Sequence, residues 1–187
     1  MMNKTQTQFR TLAGKYNRLL LTGIAFLFLL PSHAQKRETD RIAQQEIRKL
    51  AFITGSWEGT GWIMAEDGNR YEFEQTELVQ FKLDDTALLI EGRGTREGEL
   101  IHDALAVVSF NHERGNYSFR SWLNSGLSGD FKGELIDNVF YWYPGENMRY
   151  VIYINEKGQW YEKGEYNMGG DNWFQFFEMT LDRKDLK

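Results

Sequence analysis

The sequence predicts an all-β protein, an antiparallel up-and-down β-barrel of about ten strands with one short N-terminal helix closing an end. Three observations predict this fold. Aromatic residues make up 15% of the 187 residues, and flat rings pack well on the half-buried faces of strands. Ten apolar or alternating segments follow one another along the chain. The turns between them are short, so they join antiparallel neighbours, and a sheet this large loses its unpaired edges by closing.

Residues 1–34 have the features of a secretory signal peptide. Four bases and no acid precede an apolar segment at 19–30, and the small residue Ala34 provides a cleavage site. Twelve apolar residues in a helix span about 18 Å, whereas a bilayer core measures about 30 Å. We therefore expect cleavage after Ala34, export to the periplasm or the extracellular space, and no stable membrane insertion of the mature protein.

The charge balance excludes polyanionic partners. The leader holds four of the 22 bases and none of the 27 acids, so the net charge is −5 with the leader and −9 without it. Binding to nucleic acid requires clustered Lys and Arg, and the bases here are scattered among more numerous acids. The chain contains no Cys, so no disulfide can stabilise the exported protein. Nucleic acid is not expected as a partner, and packing must hold the fold.

A helical segment is predicted within residues 35–54. Thr39 or Asp40 can cap its start, and apolar residues then recur with a period close to 3.6, at Ile42, Ala43, Ile47, Leu50 and Ala51. The helix should end near Thr54 and Gly55.

The barrel itself is predicted to occupy residues 55–187. Its ten strands begin near Trp57, Arg70, Ala87, Glu99, Tyr117, Leu127, Val139, Met148, Gln159 and Trp173. Most separators contain Gly or Asn, which tolerate the positive φ angles that tight hairpins need.

Alternation within the strands indicates one packed face and one wet face. In the second strand Tyr71, Phe73, Val79 and Phe81 share one side. The last and the seventh strands carry rings on both sides, so some rings should cover the outside or meet a partner, with a homodimer as one option. Because eight strands already suffice to hold a small ligand, ten predict an internal cavity.

The segment 55–61, Gly-Ser-Trp-Glu-Gly-Thr-Gly, resembles the first-strand Gly-x-Trp signature of the calycins, the superfamily of lipocalins and fatty-acid-binding proteins. Segments 109–122 and 173–183 make the chain similar to an uncharacterised exported bacterial family of lipocalin-like barrels. The resemblance covers about residues 45–184. It implies a lipocalin-like fold in which Trp57 packs beneath the basic residue Arg183, a structural contact of the cation–π kind.

The resemblance extends distantly to ten-stranded barrels that bind haem through a histidine on a late strand. In this sequence the late strand offers Phe176, Phe177 and Glu178 at that place, so haem is not expected and no cofactor is predicted.

Catalytic and metal-binding motifs are also absent from the sequence. His102 and Asp103 are adjacent in a strand and should point to opposite faces. With His112 they have no spacing typical of a metal site. The segment 126–129, Gly-Leu-Ser-Gly, lacks the strand-turn-helix setting of a nucleophile elbow. No reaction is predicted, and an enzyme is the weaker hypothesis.

Polar residues within apolar strands are the candidate ligand-binding residues. Glu91 shares a strand face with Arg93, and Arg120 shares one with Trp122, while Tyr141 and Tyr150 could add amphipathic lining. If those faces look inward, the buried charges need partners, and a ligand's carboxylate or hydroxyl could be one. If they look outward, the residues are solvated surface.

Two functional hypotheses follow from the sequence. In the first, an exported protein encloses a small, largely apolar or amphipathic ligand in its barrel, with Arg93 or Arg120 at the polar end. In the second, a surface or periplasmic interaction protein binds glycan or protein through external rings, namely Tyr141, Trp142, Tyr143 and Trp160.

Overall fold

The computed structural model describes residues 38–185 and contains ten strands and one short helical segment. The predicted signal peptide lies outside the described residues. The elements are helix α1 (Arg41–Arg48), a 3-10 turn (Lys49–Ile53), β1 (Gly55–Met64), β2 (Arg70–Lys82), β3 (Ala87–Arg96), β4 (Glu99–Asn111), β5 (Asn116–Leu123), β6 (Ser128–Ile136), β7 (Val139–Gly145), β8 (Met148–Ile154), β9 (Trp160–Asn167) and β10 (Trp173–Lys184). No helix in this part of the chain has the length and apolarity needed to span a membrane.

The strands form a closed antiparallel barrel, as the sequence predicts. Each strand pairs with its neighbours in the chain, and β1 pairs with β10 to complete the ring. Every predicted strand start lies within two residues of the observed one. The turns fix this order because each joins strands that are adjacent in the sheet.

The helical segment closes one end of the barrel. Asp40 caps α1 by accepting a hydrogen bond from the backbone N–H of Ala43 at 3.0 Å. Ile47, Leu50 and Ile53 are fully buried and belong to the same core as the barrel strands. The apolar residues of the amphipathic pattern therefore form the side of the helical segment that covers this end of the barrel.

Trp57 and Arg183 form the contact that the resemblance implies. The guanidinium carbon of Arg183 lies 4.2 Å from the centre of the Trp57 ring, and the two residues are direct partners in the β1–β10 register. Arg183 Nη1 also donates to the carbonyl of Thr54 at 2.6 Å, while Trp57 Nε1 donates to that of Ile53 at 2.9 Å. Together these bonds join the end of the helical segment to the seam that closes the barrel.

Replacing this arginine should loosen the closed end. We expect Arg183→Ala to lower the free energy of unfolding by about 1–2 kcal/mol, because a cation–π contact and a charged hydrogen bond are lost. Urea denaturation measures the change. Lys184→Ala is the matched control, since the ion pair of Lys184 with Glu58 is exposed to solvent and contributes little. Equal losses in both variants would contradict a special role for Arg183.

Candidate ligand-binding site

The barrel encloses a cavity of about 750 Å³. Ten strands make a ring wider than the inward side chains fill, as the strand count predicts. The cavity is mostly apolar, and among its lining residues are seven aromatic side chains: Phe73, Phe119, Phe131, Trp142, Tyr150, Trp160 and Phe177. Its size and lining are those of a pocket for a small organic molecule.

The cavity opens at the end of the barrel opposite the helix. Ile63, Ile101 and Leu127 line it and are also exposed, Ile101 by 49% and Leu127 by 68%. They lie near the turns that follow β1, β3 and β5, whereas the helical segment packs at the other end. An apolar rim of this kind provides a route from solvent into the barrel.

Three rings form a continuous stack on one wall of the cavity. Trp142 lies between Phe119 and Tyr150, with ring centres 4.4 Å and 4.3 Å away and planes within 7° of parallel. Stacked rings hold each other's rotamers and contribute beyond their buried area. Within residues 38–185, the buried Nε1 of Trp142 has no hydrogen-bond partner. This N–H lies close enough to the carboxyl of Glu162 on β9 to lower the pKa of that group.

Two acidic side chains lie buried in the same cavity. Glu77 on β2 and Glu162 on β9 are each 7% exposed and both line the cavity. Glu77 Oε1 accepts a hydrogen bond from Gln75 Nε2 at 2.7 Å, and Glu162 Oε2 accepts one from Trp160 Nε1 at 3.2 Å. The other oxygen of Glu77, Oε2, is buried without a partner among the described residues. A buried polar atom without a partner is costly and needs an explanation.

Burial favours the protonated form of both acids. It raises the pKa of Glu77 to about 7, against the opposing effect of the Gln75 hydrogen bond. Burial, together with the nearby carboxyl of Glu77, raises the pKa of Glu162 to about 8. Desolvation penalises a carboxylate, and a second carboxylate nearby adds to the penalty. Near neutral pH the cavity therefore holds carboxyl groups that can donate or accept.

Two glycines on β3 make room for the polar side chains of β2. Gly92 is the register partner of Glu77, and Gly94 is that of Gln75. A Cβ added at Gly92 would lie 2.6 Å from Glu77 Oε1, and one at Gly94 would lie 2.7 Å from Gln75 Oε1. The carboxyl and the amide thus occupy space that any other residue on β3 would fill.

Adding a methyl group at Gly92 should displace the Glu77 carboxyl. We expect Gly92→Ala to lower the free energy of unfolding by about 1–3 kcal/mol, as overpacking usually does. Thermal unfolding followed by circular dichroism measures the effect. Gly145→Ala is the control, because an added Cβ there meets nothing within 4 Å. A Gly92→Ala protein as stable as wild type would show that the carboxyl is not held in this place.

Of the six residues predicted from sequence, only Tyr150 lines the cavity. Glu91, Arg93 and Arg120 are exposed on the outer face, so the condition for the two arginines to serve an enclosed ligand, that their faces look inward, is not met. The physical reason is alternation, because their neighbours Gly92 and Phe119 take the inward positions.

The two remaining predicted residues also lie outside the cavity lining. Trp122 is 39% exposed, with the Arg120 guanidinium 5.6 Å from its ring centre. Tyr141 is half-buried on the outer face, 6.0 Å from the guanidinium of Arg149.

The proposed external rings divide between the two faces. Trp142 and Trp160 line the cavity, and Trp160 is fully buried, so the expectation that these two lie on the surface is wrong. Strand alternation leaves Tyr141 and Tyr143 on the outer face of β7. The surface hypothesis therefore retains two of its four rings.

Sequence reasoning missed the polar residues of the cavity, although a signal for them exists. Gln75 and Glu77 have the same parity along β2 as the apolar Phe73 and Val79, and Glu162 has the same parity along β9 as Trp160. A polar residue on the packed face of a strand is either a site residue or a satisfied core residue.

Potential ligands for a metal or for haem are few among the described residues that line the cavity. Within residues 38–185, no three His, Asp or Glu side chains cluster in a way that could hold a metal ion. On the late strand β10 the cavity is lined by Phe177 and Met179, and among the described lining residues the one imidazole belongs to the exposed His102.

Comparison with solved structures shows two proteins of similar fold. Rv2717c from M. tuberculosis is 13% identical, with a TM-score of 0.56, and the match covers 76% of this chain and 98% of that one. The S-type phycobiliprotein lyase CPES from Guillardia theta is 10% identical, with a TM-score of 0.53, and the match covers 81% of this chain and all of that one. No family model and no curated protein matches the sequence. The similarities show a lipocalin-like barrel fold.

Proposed function

We propose that the protein binds a small, largely apolar molecule inside its barrel. The observation that carries the proposal is the cavity of about 750 Å³, which is open at one end and lined by aromatic side chains. Two buried polar atoms in it, Glu77 Oε2 and Trp142 Nε1, have no hydrogen-bond partner among residues 38–185. A ligand in a cavity of this size would gain contact area with the rings and hydrogen bonds with the polar atoms. The similarity of fold to a phycobiliprotein lyase is compatible with a small ligand.

Binding of a neutral apolar dye tests this function. N-phenyl-1-naphthylamine becomes fluorescent in apolar surroundings and should bind the wild-type protein. Ala106 is buried on β4 and lines the cavity, so Ala106→Trp should fill the barrel and weaken dye binding by about tenfold or more, a loss of about 1.4 kcal/mol.

The adjacent residue on the other face gives a matched control. Leu105 is 37% exposed and outside the cavity lining, so Leu105→Trp should bind the dye as wild type does. Equal binding by both tryptophan variants would place the dye on the surface and overturn the function.

We further propose that the protein is exported before it acts. The support is the basic and apolar sequence of residues 1–34. When the full chain is expressed in a Gram-negative bacterium, the purified periplasmic protein should begin at Gln35, as intact-mass measurement would show. Recovery of the uncleaved chain from the cytoplasm would contradict export.

A further inference from the structure

The polar part of the cavity is acidic, and burial lowers the pKa of the imidazole among its described lining residues, His102, which favours the neutral form of that ring. The cavity's two carboxyl groups are those of Glu77 and Glu162, and none of the described residues that line the cavity is Lys or Arg. A buried carboxylate without a cation or full hydrogen bonding is strongly destabilised. The cavity is therefore unsuited to a ligand carboxylate, which would add a third acidic group to this site.

One oxygen of the Glu77 carboxyl remains available to a ligand. Gln75 donates to the other oxygen, Glu77 Oε1, and Trp160 donates to Glu162 Oε2. Glu77 Oε2 has no partner in the described part of the chain and belongs to a side chain that is 93% buried, since 7% is exposed. When the Glu77 carboxyl is ionised, the group that completes this site must donate hydrogen bonds, and N–H groups do so best when they carry positive charge.

The rest of the lining suits a cationic aromatic molecule. Phe73 and Phe177 stack with ring centres 5.8 Å apart, and Phe177 lies 5.6 Å from the ring of Tyr150. These rings share the cavity with both carboxyls. Aromatic faces attract cations, and aromatic edges and faces pack well against another ring system.

We propose that the ligand is an aromatic molecule with a protonated amine or ring nitrogen, whose N–H groups donate to Glu77 and Glu162 in the cavity. This inference rests on the proposed binding function and specifies the chemistry of its ligand. In the complex one carboxyl proton is released to solvent for each positive charge that the ligand brings.

Three dyes of similar shape and different charge test the proposal on the wild-type protein. They are cationic 9-aminoacridine, neutral 9-anthracenemethanol and anionic 9-anthracenecarboxylate. At pH 7.5 we expect 9-aminoacridine to bind at least about tenfold more tightly than 9-anthracenecarboxylate, because a charged hydrogen bond contributes about 1.5–3 kcal/mol. It should also displace N-phenyl-1-naphthylamine, which shows that it occupies the barrel.

Isosteric variants then assign the preference to the two acids. The double variant Glu77→Gln, Glu162→Gln should lose the tenfold preference for the cation and still bind 9-anthracenemethanol. Glu72→Gln, on an exposed position of β2, is the matched control and should keep the preference. If the double variant does not fold, Ala106→Trp replaces it, and the preference should then disappear there and persist in Leu105→Trp.

The outcomes separate this inference from the function on which it rests. Failure of all three dyes to bind would overturn the binding function itself. Binding of 9-anthracenemethanol without any preference for the cation over the anion would overturn the ligand class alone. A preference that survives in the double glutamine variant would place the cation on the acidic outer surface and also overturn the ligand class.

Discussion

Replacing Glu77 and Glu162 by glutamine is expected to raise the free energy of unfolding at pH 8 by about 3 kcal/mol or more and to change it little at pH 4. In the folded protein, burial raises the pKa of Glu77 to about 7 and that of Glu162 to about 8, whereas the ordinary value is 4.5. Each pKa unit of difference between the folded and the unfolded state corresponds to about 1.36 kcal/mol of stability. Chemical denaturation across this pH range measures the effect.

The sign follows from proton binding. Between about pH 4.5 and pH 8 these two carboxyls bind more protons in the folded state than in the unfolded state, so they make wild-type stability fall as the pH rises through this window. The lowered pKa of His102 acts in the opposite direction but is a single group. The glutamine variant has no such groups and should show a flatter profile. Glu134 gives the contrast, because a hydrogen bond from Lys132 lowers its pKa and Glu134→Gln should not gain stability at pH 8. A wild-type profile that rises from pH 5 to pH 8 would contradict buried, protonated acids.

The second large effect is expected at the seam that closes the barrel. Gly59 on β1 is the register partner of Leu181 on β10. A Cβ added at Gly59 would lie 2.8 Å from the Cα of Leu181 and closer still to the carbonyl oxygen of Thr180. These are backbone atoms, so the strands must separate. We expect Gly59→Ala to lower the free energy of unfolding by about 3 kcal/mol or more.

Hydrogen exchange shows which strands open in this variant and how much protection their amides lose. In Gly59→Ala the amides of β1 and β10 should lose protection first, because their pairing alone closes the ring. Gly145→Ala should exchange as wild type does, since its added Cβ meets no atom within 4 Å. Uniform loss of protection over all ten strands would argue against a local opening at this seam.

The strands could be predicted from the sequence because they have strong local signals. Short turns at regular spacing set the order of β1 to β10, and alternating apolar residues such as Phe73 and Val79 on β2 mark the packed face. The Trp57–Arg183 pair could be predicted only through the resemblance, because the two residues are 126 positions apart in sequence.

The candidate site was harder to predict because its strongest features depend on pairing between strands. On β3 the inward positions next to Glu91 and Arg93 are Gly92 and Gly94, and a glycine does not reveal which face is packed. The sequence therefore favours the arginines as site residues, although they are exposed and the buried acids line the cavity. That Gly92 makes room for Glu77 is visible only once the β2–β3 register is known.

A crystal structure of the mature protein with N-phenyl-1-naphthylamine tests the central claim most directly. We expect the dye inside the barrel, its rings in van der Waals contact with Trp142 and Tyr150, and the cavity open between Ile101 and Leu127. A dye bound to the outer wall, or a barrel interior filled by its own side chains with no space of several hundred Å³, would contradict the claim.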